Sequence, residues 1–457
     1  MANGRYTPSR FLSMSFDQDQ SLIVNSSRTG AIGVVEPELA EQARRALIPG
    51  TISHAPLEGI LADLEHGGFL VPETMDEAQL VHQSYLRRYD PSMLHLIIMP
   101  TEECNFRCVY CYESFLRGEM KPELRDGLKK FLEAQEDLEQ LAVHWFGGEP
   151  FLAAGTVLEL MPWMREFTDR RDIKFSASAT TNGSLLTPRF ADQIIPLGVN
   201  HFQITLDGTE ADHNARRHGK DGEDTFRTVL DNLRYLRRST LDFEVMVRHN
   251  FDPETLSRLD GYLAMLQEEF GGDPRFTTHF EAIGRWGGAG DEDLVICEGK
   301  SGPRAIVEAR RQAAAAGFRD GTVSSSMGPD GYVCYAANPR SFVIGSDGTV
   351  YKCTIELDYH ERNKVGVLRP DGLMDLDWAR MALWCETDGM DTGKKCVSCW
   401  FQPSCHGAVC PKEWMDDNDV FCPPAKQTIQ ETLRFVRAER AHTGPVQPKD
   451  QQFCPKG

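Results

Sequence analysis

No apolar run in this 457-residue chain approaches the about 20 residues that a membrane-spanning helix requires. The polar first residues also lack the apolar stretch of an export signal. A basic excess is missing too: 49 Lys and Arg stand against 68 Asp and Glu, a net charge of −19. Nonspecific nucleic-acid binding, which rests on a basic surface, is thereby excluded. The 41% hydrophobic content is ordinary for a globular protein, and the length allows two or three domains around sizeable cores. The expectation is a soluble, cytoplasmic protein that engages neither membrane nor nucleic acid.

What the chain does have is cysteine. Thirteen cysteines without an export signal read as metal ligands or catalytic groups rather than disulfides. Most fall in two groups, within 104–111 and 334–422, as cluster ligation requires and disulfides do not. Cys297 and Cys454 lie outside both groups and read as free thiols in flexible segments. The first group is the stretch Cys104-Asn105-Phe106-Arg107-Cys108-Val109-Tyr110-Cys111, directly after the apolar run Leu94 to Met99. Thiolates are soft ligands suited to iron–sulfur clusters. Three of them can hold three irons of a 4Fe–4S cube and leave the fourth open for a substrate or cofactor. A structural zinc site would instead favour four ligands and pairs such as C-x2-C.

Around this stretch the periodicity divides the chain into four regions. Residues 1–20 lack periodicity and are expected to fray. Within 1–90, Leu22 to Val24 and Ala31 to Val35 flank an Arg28-Thr29-Gly30 turn, a hairpin pattern. Helical patterns follow at Pro37–Leu47, Pro56–His66 and Asp76–Arg88, with a short strand at Phe69 to Val71. The sum resembles a winged helix, but one too acidic for DNA. From 91 to 318 strand patterns alternate with helical ones. The strands are Leu94–Met99, Ala142–Phe146, Lys174–Ala179, His201–Leu206, Asp242–Val247 and Phe276–Ala282. That alternation implies an α/β fold with a parallel sheet, and six units make a partial (β/α)6 barrel. In such folds chemistry collects beyond the carboxyl ends of the strands. Trp286–Pro303 reads as a linker or mobile loop. Residues 319–425 are dense in Cys and Gly and read as a region stapled by metal rather than by its own core. Within 426–457, Lys426–His442 is an amphipathic helix, with a disordered tail after it.

Two constellations sit where that fold would place chemistry. Gly147-Gly148-Glu149-Pro150 ends the second strand: its glycines permit close approach of a ligand, and Glu149 can pair with an ammonium group. Asn182 and Thr205 end the third and fourth strands. In the C-terminal region Cys334 and Cys353 precede Cys396-x2-Cys399-x5-Cys405-x4-Cys410 and then Cys422. A zinc ribbon is the competing reading of Cys396 to Cys422.

The Cys104–Cys111 loop after a strand, followed by the Gly-Gly-Glu-Pro turn, resembles the radical S-adenosylmethionine (radical SAM) enzymes. The C-terminal cysteines resemble the SPASM domain of family members that modify peptides and proteins, except that the last short spacing is x4 where the family has x3. The resemblance covers about residues 94–425. It implies that Cys104, Cys108 and Cys111 hold a SAM-binding 4Fe–4S cluster. Tyr110 would lie against the adenine, Gly147, Gly148 and Glu149 on the SAM amino group, and Asn182 and Thr205 close by. The stretch with His213, Arg217, Gly222 and Phe226 is also family-like, though turns and caps favour the same residues. Two auxiliary clusters are implied, one on Cys334, Cys353 and Cys410, with Cys385 as a fourth ligand or an open site. The other falls on Cys396, Cys399, Cys405 and Cys422. Glu356, close after Cys353, is a candidate base, with an exposed solvated carboxylate as the plainer reading.

The implied function is an oxidoreductase that cross-links a ribosomally made precursor peptide through a thioether or carbon–carbon bond. A flavodoxin or ferredoxin would supply electrons, and the N-terminal module would bind the peptide's leader. Formylglycine formation on a sulfatase, peptide epimerisation and a non-catalytic iron–sulfur or zinc scaffold are the alternatives.

Overall fold

The computed structural model describes residues 4–299, 301–320, 322–357, 360–386 and 394–443. Cys454 and the C-terminal tail lie outside the described residues. Two compact units divide the chain, each drawing on separated stretches.

The larger unit is built from Asp90–Asp320 and Pro339–Trp384. Its centre is the expected run of six parallel strands: Met93–Ile98, Gln140–Trp145, Lys174–Thr181, Val199–Thr205, Glu244–Phe251 and Phe276–Ala282. Helices Pro122–Glu133, Ala154–Arg170, Pro188–Ile194, Phe226–Arg238 and Leu259–Phe270 connect them. Alternation along each strand sorts the side chains into two sets. One set is apolar and packs on the helices: Trp145 donates to the Met161 sulfur at 3.4 Å, and Phe276 stacks on Phe270 at 4.5 Å. The other set, turned away from the helices, is polar. It includes His144, Ser178, Thr180, Gln203, Arg248, His279 and Glu281, and the strand register places Arg248 between Thr205 and His279. His144 is tied to Ser178 and Thr180 at 2.7 and 3.0 Å. A closed eight-stranded barrel fills this face with branched apolar residues; here it is lined for polar company.

A seventh parallel strand, Ser341–Ile344, pairs with Met93–Ile98. It continues antiparallel through Thr349–Tyr351, Lys364–Leu368 and Met374–Leu376, giving ten strands in one sheet. This corrects the expectation that metal alone supports residues 319–425. Val343, Ile344, Val350, Tyr351 and Val365 are fully buried, so this part has apolar packing of its own and extends the barrel sheet.

The smaller unit combines Met1–Tyr89, Gly321–Asn338 and Cys385–Lys449. A three-stranded antiparallel sheet, Leu12–Phe16, Leu22–Ser26 and Ile32–Val35, packs on helices Pro37–Ala46 and Ile60–His66 through Leu22, Val24, Ala43 and Leu64. The first described residues are not frayed: Arg5–Pro8 pairs with Ser53–His54 on one side and Leu70–Pro72 on the other, and Phe11 is fully buried. Strand Leu22–Ser26 buries its second face too. Ile23 packs with Met327, Phe401, Cys405 and Leu433, so residues 1–90 share a core with the cysteine-rich segment. Helix Ile429–Thr443 is fastened to the same sheet by Arg437, paired with Asp17 at 2.6 Å and Asp19 at 2.5 Å. Among the described residues no helix is long and apolar enough to cross a membrane.

Candidate active site

The first strand ends at Ile98 and the chain leaves it in the cysteine loop, at the carboxyl end of the parallel sheet. The second strand ends beside it in the Gly147–Pro150 turn. The two segments lie against each other: the Glu149 amide donates to the Glu103 carbonyl at 2.9 Å. The glycines are what permits this. Gly147 sits at φ +120°, and a Cβ there would stand 2.3 Å from the Thr101 carbonyl oxygen. A Cβ on Gly148 would stand 2.5 Å from the Glu103 oxygen. The closest approach at both glycines is therefore by the cysteine loop's own backbone, where the sequence reading expected a ligand.

Glu149 is fully buried. Its carboxylate accepts from the Thr181 hydroxyl at 2.8 Å, the Asn182 amide at 2.8 Å and the Phe151 amide at 3.1 Å. Among the described residues no cationic side chain touches it, and burial pushes its pKa up to about 7. Asn182, tied to the same strand end, donates to the Asn105 side chain at 2.8 Å and reaches the Cys104 sulfur at 4.0 Å. Asn105 in turn donates to Ser184 at 3.0 Å. The third strand end is thus bonded to the cysteine loop side chain by side chain. Thr205 is buried at the end of the fourth strand.

The three thiols are gathered within one electrostatic neighbourhood. Burial pushes the Cys104 and Cys111 thiols up to about 12, with the other cysteines adding to the effect, and raises Cys108 as well. Such thiols hold their protons until a metal displaces them. A backbone N–H, that of Phe106, already points at the Cys104 sulfur at 3.3 Å. Soft donors, near one another and half-buried, fit an iron–sulfur cluster.

Tyr110 is fixed by its hydroxyl, which donates to Asp207 and accepts from Arg217 at 2.8 Å and Asn250 at 3.2 Å. Asp207 also receives the Asn250 amide at 2.8 Å. Sequence reasoning passed over Asp207, Asn250 and Ser184. In the sequence Asp207 stands only as an acid before glycine, in Leu206-Asp207-Gly208, which a turn explains equally well. The family-like stretch after it is a buttress: the Asp207 amide donates to His213 Nδ1 at 3.2 Å, and His213 Nε2 bonds Thr225 at 3.1 Å. Burial lowers the His213 pKa to about 2, so the ring is neutral. Phe226 packs edge-on against it, and Gly222 takes a φ of +87°.

The C-terminal cysteines divide between the units. Cys353, buried, belongs to the larger one; its sulfur accepts the Ile355 amide at 3.4 Å, and it acts electrostatically on Tyr112 beside Cys111. Cys334 and Cys410 belong to the smaller unit, where the Cys334 amide bonds the Ala408 carbonyl at 2.9 Å. Cys385 is buried at the end of helix Trp378–Cys385. Cys396, Cys399, Cys405 and Cys422 all lie in the smaller unit. Burial pushes the Cys405 thiol up to about 12, and the other three add to it. Lys426 lies against two of the four, its ammonium 3.5 Å from the Cys422 sulfur and hydrogen-bonded to Cys399. Among the described residues no three Cys, His, Asp or Glu side chains converge as ligands of a single metal ion.

Glu356 is neither exposed nor free to act as a base. Its side chain is 1% exposed, and both oxygens are held by Arg362, one by Nε at 3.0 Å and the other by Nη2. The Arg362 side chain supplies a planar fork that a carboxylate matches with both oxygens. Cys297 is a half-buried thiol.

Residues 98–263 match the model of the Radical SAM superfamily. The radical SAM cyclopropyl synthase TigE of Paramaledivibacter caminithermalis is 20% identical over 228 residues, 44% of this chain and 46% of that protein. The mycofactocin maturase MftC of Mycolicibacterium smegmatis is 25% identical over 311 residues, 67% of this chain and 75% of that protein. The chain spans less than half the length of the first curated relatives it matches. Among solved structures, anSMEcpe with bound AdoMet and Cp18Cys peptide superimposes with a TM-score of 0.57 at 18% identity, over 77% of this chain and 99% of that one. That likeness is one of fold. The loop that offers three thiols and the turn packed against it both fall within residues 98–263, the stretch that matches the radical SAM superfamily as a domain of this chain.

Proposed function

We propose that this protein is a radical SAM maturase that installs a cross-link, a thioether or a carbon–carbon bond, in a ribosomally made precursor peptide. The observation that carries it is the meeting of the cysteine loop and the Gly147–Pro150 turn at the mouth of a polar-faced parallel sheet. When bound, a 4Fe–4S cluster with SAM supplies a 5′-deoxyadenosyl radical that abstracts hydrogen from an unactivated C–H bond.

The chain's own residues do the rest. Cys104, Cys108 and Cys111 would hold the cluster, and Asn182 orients the first of them. Glu149 is a buried carboxylate that, among the described residues, no cationic side chain touches, Arg217 acting on it only from a distance, so an arriving ammonium group would supply the missing contact charge. Tyr110, held through its hydroxyl by Asp207, Arg217 and Asn250, would lie against the adenine, and Thr205, buried at the end of the fourth strand, would contact SAM. The polar strand face with Gln203, Arg248, His279 and Glu281 can receive the amides of a peptide, which an apolar lumen would repel. Cys396, Cys399, Cys405 and Cys422 would hold an auxiliary cluster, as would a set that includes Cys353. The similarity to MftC, a mycofactocin maturase, supports a peptide substrate, with electrons from a flavodoxin or ferredoxin-type donor. The N-terminal strands and helices would bind the peptide's leader.

The test is anaerobic reconstitution with iron and sulfide, then SAM, dithionite and a candidate peptide. The wild type is expected to release 5′-deoxyadenosine and a peptide lighter by two hydrogens per cross-link. The Cys104/Cys108/Cys111→Ala variant is expected to release neither. Deuterium uptake from solvent without loss of mass would replace cross-linking by epimerisation. Full iron and bound SAM without any 5′-deoxyadenosine would remove the radical chemistry itself.

A further inference from the structure

The four cysteines Cys396, Cys399, Cys405 and Cys422 occupy one small region with two lysines, and the lysines differ. Lys395 is drawn off by Asp419, whose two oxygens both lie 2.9 Å from its ammonium. Lys426 has no carboxylate: among the described residues its ammonium meets only thiols, Cys422 at 3.5 Å and Cys399. Its position is fixed by the backbone. It sits on the short helix Pro424–Gln427, four residues past Cys422, with its amide bonded to the Pro423 carbonyl at 3.0 Å. The Cys399 sulfur also accepts from a backbone donor, the Phe401 N–H at 3.4 Å.

Four cysteines saturate a 4Fe–4S cube, so a cluster held here has no open iron for a substrate. What such a cluster can do is take or give an electron, and its tendency to do so is set by the charge and hydrogen bonds at its sulfurs. We infer that Lys426 is a positioning residue that raises the reduction potential of the auxiliary cluster on Cys396, Cys399, Cys405 and Cys422, making it an electron acceptor. This rests on the proposal that the four cysteines hold such a cluster. An added electron makes the cluster more negative, and an uncompensated ammonium on two of its thiolates stabilises that state over the oxidised one. Cross-linking leaves one electron in excess on the substrate once a hydrogen atom has been abstracted and a proton lost. A poised cluster of this kind is where it can go.

The experiment compares wild type, Lys426→Gln, Lys426→Arg and Lys395→Gln by redox titration followed with electron paramagnetic resonance, alongside iron content. Lys426→Gln is expected to make reduction of this cluster at least about tenfold less favourable, about 59 mV for a one-electron couple. Lys426→Arg, which keeps charge and donors, is expected to stay near wild type. Lys395→Gln, whose charge Asp419 already offsets, should move the potential less than Lys426→Gln does. An unchanged potential in Lys426→Gln, with iron intact, overturns the inference and leaves the cluster standing. If the Cys396/Cys399/Cys405/Cys422→Ala variant keeps the full wild-type iron content, no cluster is held there and the inference falls with it. Loss of about four irons per chain in that variant upholds the cluster on which the inference rests.

Discussion

Glu149 is an acid kept from water and from any cationic side chain in contact, and burial accordingly raises its pKa from 4.5 to about 7. A SAM ammonium bound beside it needs the ionised form. At pH below 7 binding must first remove a proton, and affinity drops about tenfold per pH unit. Above 7 the carboxylate is already ionised and the slope vanishes. The expected outcome is that the cluster-loaded protein binds SAM about tenfold more weakly at pH 6 than at pH 7.5. That window stays below the about 7.7–8.0 at which an α-amino group itself loses its proton. Glu149→Gln is expected to bind more weakly and without this pH slope, read by equilibrium dialysis at both pH values; an equal slope in both proteins would assign the titration elsewhere. Glu149 was legible in the sequence because two glycines and a proline mark its turn. Its partners Thr181 and Asn182 were legible only as a strand end. Asp207 and Asn250 were not, since single polar residues beside glycine or at the end of a strand also read as turn formers.

At the scale of elements, the loop after the sixth strand carries a role that its composition conceals. Trp286–Pro303 reads as a linker, yet its glycines lie on the cysteine loop. A Cβ on Gly288 would stand 2.5 Å from the Cys111 carbonyl oxygen, and one on Gly290 3.2 Å from that of Val109. The loop is folded on itself by Arg285, bonded to the carbonyls of Asp291 at 2.9 Å and Leu294 at 3.1 Å. Gly288→Val is expected to lift it from the cluster, so that the visible cluster absorbance bleaches several-fold faster in air while thermal stability changes by no more than about 1–3 kcal/mol. Equal bleaching rates would return the loop to the status of a linker. The same elements show where periodicity carries information. The six parallel strands were readable because strand-like stretches, apolar or alternating apolar with polar, recur between helical patterns. Arg5–Pro8 and Ser341–Ile344 are four residues long, too short for alternation to declare itself. Ser341–Ile344 pairs with a strand some 250 positions earlier, a partnership no local window contains.

The whole molecule is interleaved. The chain leaves the smaller unit after Tyr89, returns for Gly321–Asn338 and returns again at Cys385, so neither unit is a contiguous piece. Composition separated an N-terminal module from a cysteine-rich one; packing joins them. Ile23 is one place where they join, fully buried in a cluster with Met327, Phe401, Cys405 and Leu433. Removing its side chain leaves a cavity shared by both segments and is expected to cost about 2–5 kcal/mol. Because Cys405 lies in that cluster, the damage reaches a proposed ligand. Ile23→Ala is expected to lower the denaturation midpoint and also the iron retained on reconstitution, with Val34→Ala, at an exposed position, doing neither. If Ile23→Ala destabilised the protein but kept its iron, residues 1–90 would behave as a detachable module after all. Under the interleaved packing, deleting those residues strips one face from the cysteine-rich core, so loss of activity on deletion says nothing about leader binding. Point changes on the exposed side of the Ile32–Val35 strand, which leave Ile23 and its partners in place, are the variants that can separate recognition from folding.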